Sequence, residues 1–146
     1  MSLIEMRLDG IQLMVENMPK MVRFYRDVLG FEITEGEDTG FVYLVKDHTL
    51  FMLYKRESFE FLTCHEYNYC CGINGHFEIS LSVNSFKEVD KAYEEVVAKG
   101  ANAVYPPTTE FWGQRTCVIT DPENNLIEIS AWENNPYQTS FDKDEF

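Results

Sequence analysis

Three of the four cysteines and two of the three histidines of this 146-residue chain fall within fourteen positions, TCHEYNYCCGINGH at residues 63–76. Thiolate and imidazole groups at that density raise zinc binding or thiol–disulfide chemistry first. The spacing supports neither. Five residues separate Cys64 from Cys70, Cys70 adjoins Cys71, and no second closely spaced pair follows to complete a zinc knuckle. Adjacent cysteines also meet poor geometry for an ordinary disulfide. With Gly72 and Gly75 suited to turning, the stretch reads instead as a connector between two halves of the chain.

Carboxylates are the next group able to do chemistry. Glu78 and Glu128 each sit in an alternating run, FEISLSV and LIEISAW. Two carboxylates brought together in a cleft of low dielectric would separate in pKa and could serve as general acid and base. Two solvated carboxylates on an open sheet face are the plainer alternative, and the sequence favours it slightly. No glycine-rich phosphate loop, no G-x-S-x-G elbow and no H-E-x-x-H pair is present.

The bulk properties narrow the field. The length suits one domain able to bury a core without disulfides. Apolar residues are 45% of the chain, and no apolar run approaches the roughly 18 residues of a membrane helix. The first residues lack a basic region followed by an apolar stretch, so the expectation is a cytoplasmic protein with reduced cysteines. A net charge of −13 repels phosphate backbones and anionic lipids, which argues against nucleic-acid or membrane partners.

Elements that would position these groups repeat along the chain. Ile11, Leu13 and Val15 alternate as a strand. Asn17 caps a helix with Pro19 in its first turn and an apolar stripe of Met18, Met21, Val22, Tyr25, Val28 and Leu29, which Gly30 ends. Strands are predicted at 31–35, 41–46 and 50–55. In the second half, Ile79, Leu81 and Val83 alternate in the same way. Ser85 and Glu88 form a capping box for a helix with Val89, Ala92, Tyr93, Val96 and Val97 on one side, and Gly100 ends it. Strands follow at 103–105, 116–120 and 126–132, with the turn DPENN before the last. Setting Val15 on Val83 gives a period of about 68 residues, and each half reads β-α-β-β-β.

FYRDVLGFEI at 24–33, taken with EFWGQRTCVITDPENNLIEI at 110–129, resembles the glyoxalase/bleomycin-resistance/dioxygenase superfamily, also called vicinal oxygen chelate. The likeness covers about residues 8–132, and Trp112-Gly113-x-Arg115 leans toward its bleomycin-resistance side. Asn124 stands where the family usually has glycine, and asparagine tolerates the positive φ that turn needs. The resemblance implies an α+β fold in which two βαβββ modules, residues 8–60 and 77–132, form an open half-barrel sheet around a cavity. A connector at 61–76 and a tail at 133–146 complete a single domain of residues 1–146. It also implies a homodimer.

Strand parity assigns faces to the side chains. If Ile11, Leu13 and Val15 pack on the first helix, then Gly10, Gln12 and Met14 face the cavity. Glu78, Ser80 and Ser82 do so from the second module, with His76 behind them, and Leu126, Glu128, Ser130 and Trp132 from the last strand. Leu50, Met52 and Tyr54 join them by the repeat. Enzymes of the superfamily hold a divalent metal at up to four such positions, which fall here on Gly10, Met52, Glu78 and Glu128. Glycine has no donor and a thioether is soft, so two carboxylates remain, with His76 as a third ligand only if a bulge shifts it.

The favoured expectation is therefore metal-free binding of a small aromatic or cationic molecule, in the manner of drug sequestration. Tyr43, Tyr54, Phe59, Trp112 and Trp132 are candidate walls, joined as ligand contacts by Gln12, Met52, His76, Ser80 and Arg115. Arg115 could equally hold Glu110 or Glu128 in an ion pair. The alternative is a lyase, isomerase or dioxygenase using nickel, zinc, iron or manganese on Glu78, Glu128 and His76.

Overall fold

The computed structural model describes residues 4–46 and 49–134, and these divide into two compact units, one through Cys70 and one from Cys71 on. The division falls within the stretch expected to be the connector. Most of the expected tail, residues 135–146, lies outside the described residues, as do positions 47 and 48 of a predicted turn.

The first unit begins with strand β1 (Ile11–Val15) and helix α1 (Met18–Arg23). The Asn17 side chain accepts the Lys20 N–H at 3.1 Å, which meets one of the unpaired donors of the first helical turn. A π-helical turn, Phe24–Val28, continues the helix, and Gly30 ends it at φ 75°. Strands β2 (Phe41–Lys46) and β3 (Thr49–Lys55) follow, in the order β1-β3-β2, with β3 parallel to β1 and antiparallel to β2. Leu13, Val15, Val42, Leu44, Phe51 and Leu53 share one face of this sheet and are buried, as are Met18, Met21 and Val22 of α1. Tyr25 is fully buried among Phe24, Phe31 and Phe51, with ring centroids 5.5–5.7 Å away.

One expectation for this unit is corrected, and one element is added. The strand predicted at 31–35 is reduced to a single bridging residue, Glu32. The chain here is drawn toward the helix: Glu37 accepts from Arg23 Nη1 at 3.0 Å and Arg26 Nη2 at 2.9 Å. The first half therefore has three strands where four were expected. After β3 the chain forms helix α2 (Arg56–Thr63), an element not anticipated from the sequence, which runs into the expected connector. Cys64 ends α2 in the left-handed region at φ 52°, and the His65 N–H closes on the Glu60 carbonyl at 3.2 Å.

The second unit has all four strands. They are β4 (Asn74–Ser82), then, after helix α3 (Phe86–Ala98), β5 (Asn102–Thr109), β6 (Gln114–Thr120) and β7 (Asn125–Trp132), in the order β4-β7-β6-β5. The capping box forms: Ser85 Oγ accepts the Glu88 N–H at 3.2 Å, and the Glu88 carboxylate takes the Asn84 N–H at 2.8 Å. Cys117, Ile119, Ile127, Ile129 and Ala131 form the buried sheet face, and Val89 and Val96 are the buried residues of α3. Asn124 adopts φ 67° in the β6–β7 turn. Asp121 anchors that turn from a fully buried position, accepting from Asn125 Nδ2 at 2.9 Å and from the N–H of Glu123 at 2.8 Å.

Candidate functional site

On the open face of the second unit's sheet, parity brings Glu78, Ser80 and Ser82 of β4 beside Leu126, Glu128 and Ser130 of β7. Ser80 lies opposite Glu128 and donates its hydroxyl to Glu128 Oε1 at 2.9 Å. Glu78 is one register step away on the same face. Its carboxyl is pushed above the ordinary glutamate range, first by partial burial and then by the charge of Glu128. Further along the sheet, Thr116 and Gln114 of β6 pair with Ser130 and Trp132. Glu110, just past β5, accepts from the Tyr105 hydroxyl at 2.8 Å and from Thr116 Oγ1 at 3.3 Å. This face is polar and acidic.

The matching face of the first unit is apolar and aromatic. Register aligns Gln12, Met52 and Tyr43 in one row and Met14, Tyr54 and Phe41 in the next. Met52 is buried, and Gly10 shows why: a Cβ built there would lie 2.9 Å from the Met52 methyl and 2.9 Å from the Leu50 carbonyl oxygen. The space a side chain at position 10 would fill is taken. Rings then follow one another across the face and onto α2. Tyr43 meets Phe41 at 4.9 Å, Phe41 meets Tyr54 at 5.1 Å, Tyr54 meets Phe59 at 5.3 Å, and Phe59 meets Tyr67 at 5.4 Å.

The structure gathers the expected residues unevenly. Gln12, Tyr43, Met52 and Tyr54 share one face of the first unit, and Ser80, Glu78, Glu128 and Trp132 one face of the second. Trp112 stands half-exposed before β6 and donates Nε1–H to Gln114 Oε1 at 2.8 Å. Arg115 does neither job expected of it. It lies on the helix side of β6 with Cys117 and Ile119, and its Nη2 and Nε reach Asp90 Oδ1 of α3 at 2.7 and 3.1 Å. The alternation that placed Glu128 would have placed Arg115 too, had it been carried along β6. Phe41 and α2, with Phe59 turned onto Tyr54, were not anticipated as one surface. The Phe59–Leu62 spacing was the available signal.

A bulge does interrupt β4 between Asn74 and Glu78, and exposed His76 lies within it. It does not complete a ligand set: among the described residues, no three His, Cys, Asp or Glu side chains stand close enough to share an ion. In the first unit Gly10 offers no donor and Met52 presents a methyl, and in the second Glu78 and Glu128 are the carboxylates of the shared face. A hard divalent cation takes about six oxygen or imidazole ligands, so neither face by itself supplies a donor set that fits one. Cys117 is no nucleophile, since burial pushes its thiol up to about 11 while it lies 3.6 Å from the Ile129 carbonyl oxygen.

Comparison with known proteins agrees with this architecture. The uncharacterized protein YraH of Bacillus subtilis (strain 168) is 30% identical over 127 residues, covering 85% of this chain and 97% of that protein. A glyoxalase/bleomycin resistance protein/dioxygenase from Nocardioides superposes with a TM-score of 0.75 at 20% identity, covering 94% of this chain and 92% of the other. A glyoxalase/bleomycin resistance protein/dioxygenase family enzyme from Burkholderia phytofirmans PsJN gives 0.74 at 22% identity, covering 85% and 97%. Residues 7–129 match the family defined by such proteins, and the chain belongs to the glyoxalase/bleomycin resistance protein/dioxygenase superfamily.

Proposed function

We propose that this protein binds a small, flat aromatic or cationic molecule without a metal and acts by holding it, in the manner of drug sequestration. The observation that carries the reading is the filling of position 10 by the Met52 methyl, which removes donors from two of the family's metal positions and leaves an apolar surface there. Each unit presents one kind of group that such a ligand can use. The Tyr43, Phe41 and Tyr54 rings supply faces and edges for stacking, and Glu78 and Glu128 supply negative charge. The net charge of −13 draws cations toward the whole molecule.

The test is titration of the purified protein with the planar cation proflavine, followed by dye fluorescence, beside an uncharged ring system of the same size. Saturable binding of the cation, weakened about fivefold or more by Glu128→Gln and by Tyr54→Ala, supports the reading. Equal binding of the neutral compound removes the role of the carboxylates. Elemental analysis on the same sample addresses the metal-dependent lyase, isomerase or dioxygenase alternative. About one nickel, zinc, iron or manganese per chain would replace this reading with that one.

A further inference from the structure

Asn74 and Gly75 are the one Asn-Gly pair in the chain, and they open β4. Such a pair has a chemistry of its own. The glycine nitrogen can close on the asparagine side-chain carbonyl, because no Cβ on the glycine obstructs the approach. Three observations make this pair ready to react. Gly75 and His76 are exposed, and residues 75–77 have no partner in β7, because the register breaks between Asn74 and Glu78. The space around Gly75 is open, since a Cβ built there would meet nothing within 4 Å. The His76 N–H donates to Asn74 Oδ1 at 3.1 Å. That turn folds the side chain back over the Gly75 peptide and draws electron density from the amide carbon.

We propose that Asn74–Gly75 is a site of spontaneous modification, where cyclisation and hydrolysis turn Asn74 into aspartate or isoaspartate and loosen the β6–β7 turn. The Gly75 amide gives its proton to a solvent base, and its nitrogen attacks Asn74 Cγ. The N–Cγ bond forms, the Cγ–Nδ2 bond breaks, and ammonia leaves with a proton from water, giving a cyclic imide. Water then opens the imide. Hydrolysis at Cγ returns an ordinary backbone carrying aspartate. Hydrolysis at the main-chain carbonyl leaves the chain running through Cβ and Cγ, as isoaspartate. Water is the one co-reactant.

Asn74 clasps the β6–β7 turn. Its Nδ2 donates to Asn125 Oδ1 at 3.1 Å, and its N–H to the Asn124 carbonyl at 2.8 Å. Asn125 is held from turning over to suit a carboxylate, since its own Nδ2 donates to Asp121 Oδ1 and Oδ2 at 3.2 and 2.9 Å. A carboxylate at position 74 therefore sets acceptor against acceptor, with the fully buried Asp121 side chain next in line. The extra backbone carbon of isoaspartate enters on the side of Asn74 that leads into the bulge, so Glu78 keeps its face. The clasp also governs the rate: the departing amide is tethered to Asn125, and reaction proceeds when that contact opens locally. The inference is independent of what the protein binds.

Incubation of the full chain in mildly alkaline buffer, followed by peptide mass spectrometry, tests the site. Residue 74 is expected to gain about one dalton as two isomeric products, one of them a substrate for an isoaspartyl methyltransferase. It should do so at least about tenfold faster than the exposed Asn68, Asn84 and Asn102. Gly75→Ala should slow the reaction at least about tenfold, and the open space at that position lets the variant keep its fold. Urea unfolding reads the clasp. Asn74→Asp should unfold at a lower urea concentration than Asn74→Ala, which loses the same bond without adding a carboxylate. Modification no faster at residue 74 than at those other asparagines would overturn the inference, and so would a rate unchanged by Gly75→Ala. Equal stability of Asn74→Asp and Asn74→Ala would overturn the loosening of the turn. Circular dichroism confirms that each variant is folded.

Discussion

Gln12–Met52–Tyr43 in the first unit and Ser80–Glu128–Val118 in the second occupy matching rows of matching sheets. The next rows match as well, Met14–Tyr54–Phe41 against Ser82–Ser130–Thr116. Backbone register is therefore duplicated with fidelity while the chemistry on it is inverted: sulfur and rings in one unit, carboxylate and hydroxyls in the other. In the first unit the matched position is buried, so an apolar side chain is the one it can hold without a desolvation penalty. In the second it is half-exposed, and a carboxylate with a serine donor is stable there.

Reciprocal substitution is the severest way to break that contrast. Met52→Glu forces a carboxylate into the space beneath Gly10 and should destabilise by about 3 kcal/mol or more. Glu128→Met loses one exposed hydrogen bond and should change stability by less than about 1 kcal/mol. Urea unfolding of both variants decides the matter, and equal costs would show the units to be chemically interchangeable.

A smaller difference separates the second rows. Tyr54→Ala removes ring contacts to Phe41 and Phe59 and should cost about 2 kcal/mol. Its counterpart Ser130→Ala should cost no more than about 1 kcal/mol in the same assay.

Acidity sharpens the comparison from the other side. The raised carboxyl of Glu78 means that cation binding should strengthen as pH rises through its titration, when Glu78 adds its negative charge to this face. Proflavine titrations at a series of pH values should show that rise, and Glu78→Gln should flatten it.

The least effect expected is on stability. A carboxyl raised in the folded state favours folding when protonated, and that contribution is lost as pH rises through the folded value. Glu78→Gln should therefore stabilise slightly at neutral pH, by less than about 0.5 kcal/mol given solvent screening, and give no gain below the ordinary glutamate value of 4.5. Calorimetry at the two pH values reads the difference.

Much of this was legible in the residues. Alternation placed Leu13 and Val15 on the buried face as expected, though Ile11 of the same set is 56% exposed, and Asn17, Ser85, Gly30 and Gly100 marked helix ends because capping and positive φ are local physics. Met52 and Glu128 also hold equivalent register positions in their own sheets, beside Gln12 and Ser80. What failed depended on distant partners. The strand at 31–35 did not form: the Phe31 N–H bonds back to the Tyr25 carbonyl at 2.9 Å, and Glu37 pairs with Arg23 and Arg26 of the preceding helical turns. Arg115 went to Asp90, twenty-five residues away in sequence. Met52 was read as a ligand contact, but only the backbone approach at Gly10 reveals that its methyl fills that space.

The bulge in β4 has a bearing on how this surface can change. Between Asn74 and Glu78 the pairing with β7 advances by a single residue, from Asn125 to Leu126, so the intervening segment is not locked into the ladder. In an unbroken stretch of ladder, gaining or losing one residue would rotate every following side chain to the opposite face. At residues 75–77 the slack absorbs such a change before Glu78 is reached. The stretch can thus vary in length and composition while the carboxylate keeps its orientation, which makes it the place where new loops can be grafted next to the acidic face without rebuilding the strand beneath.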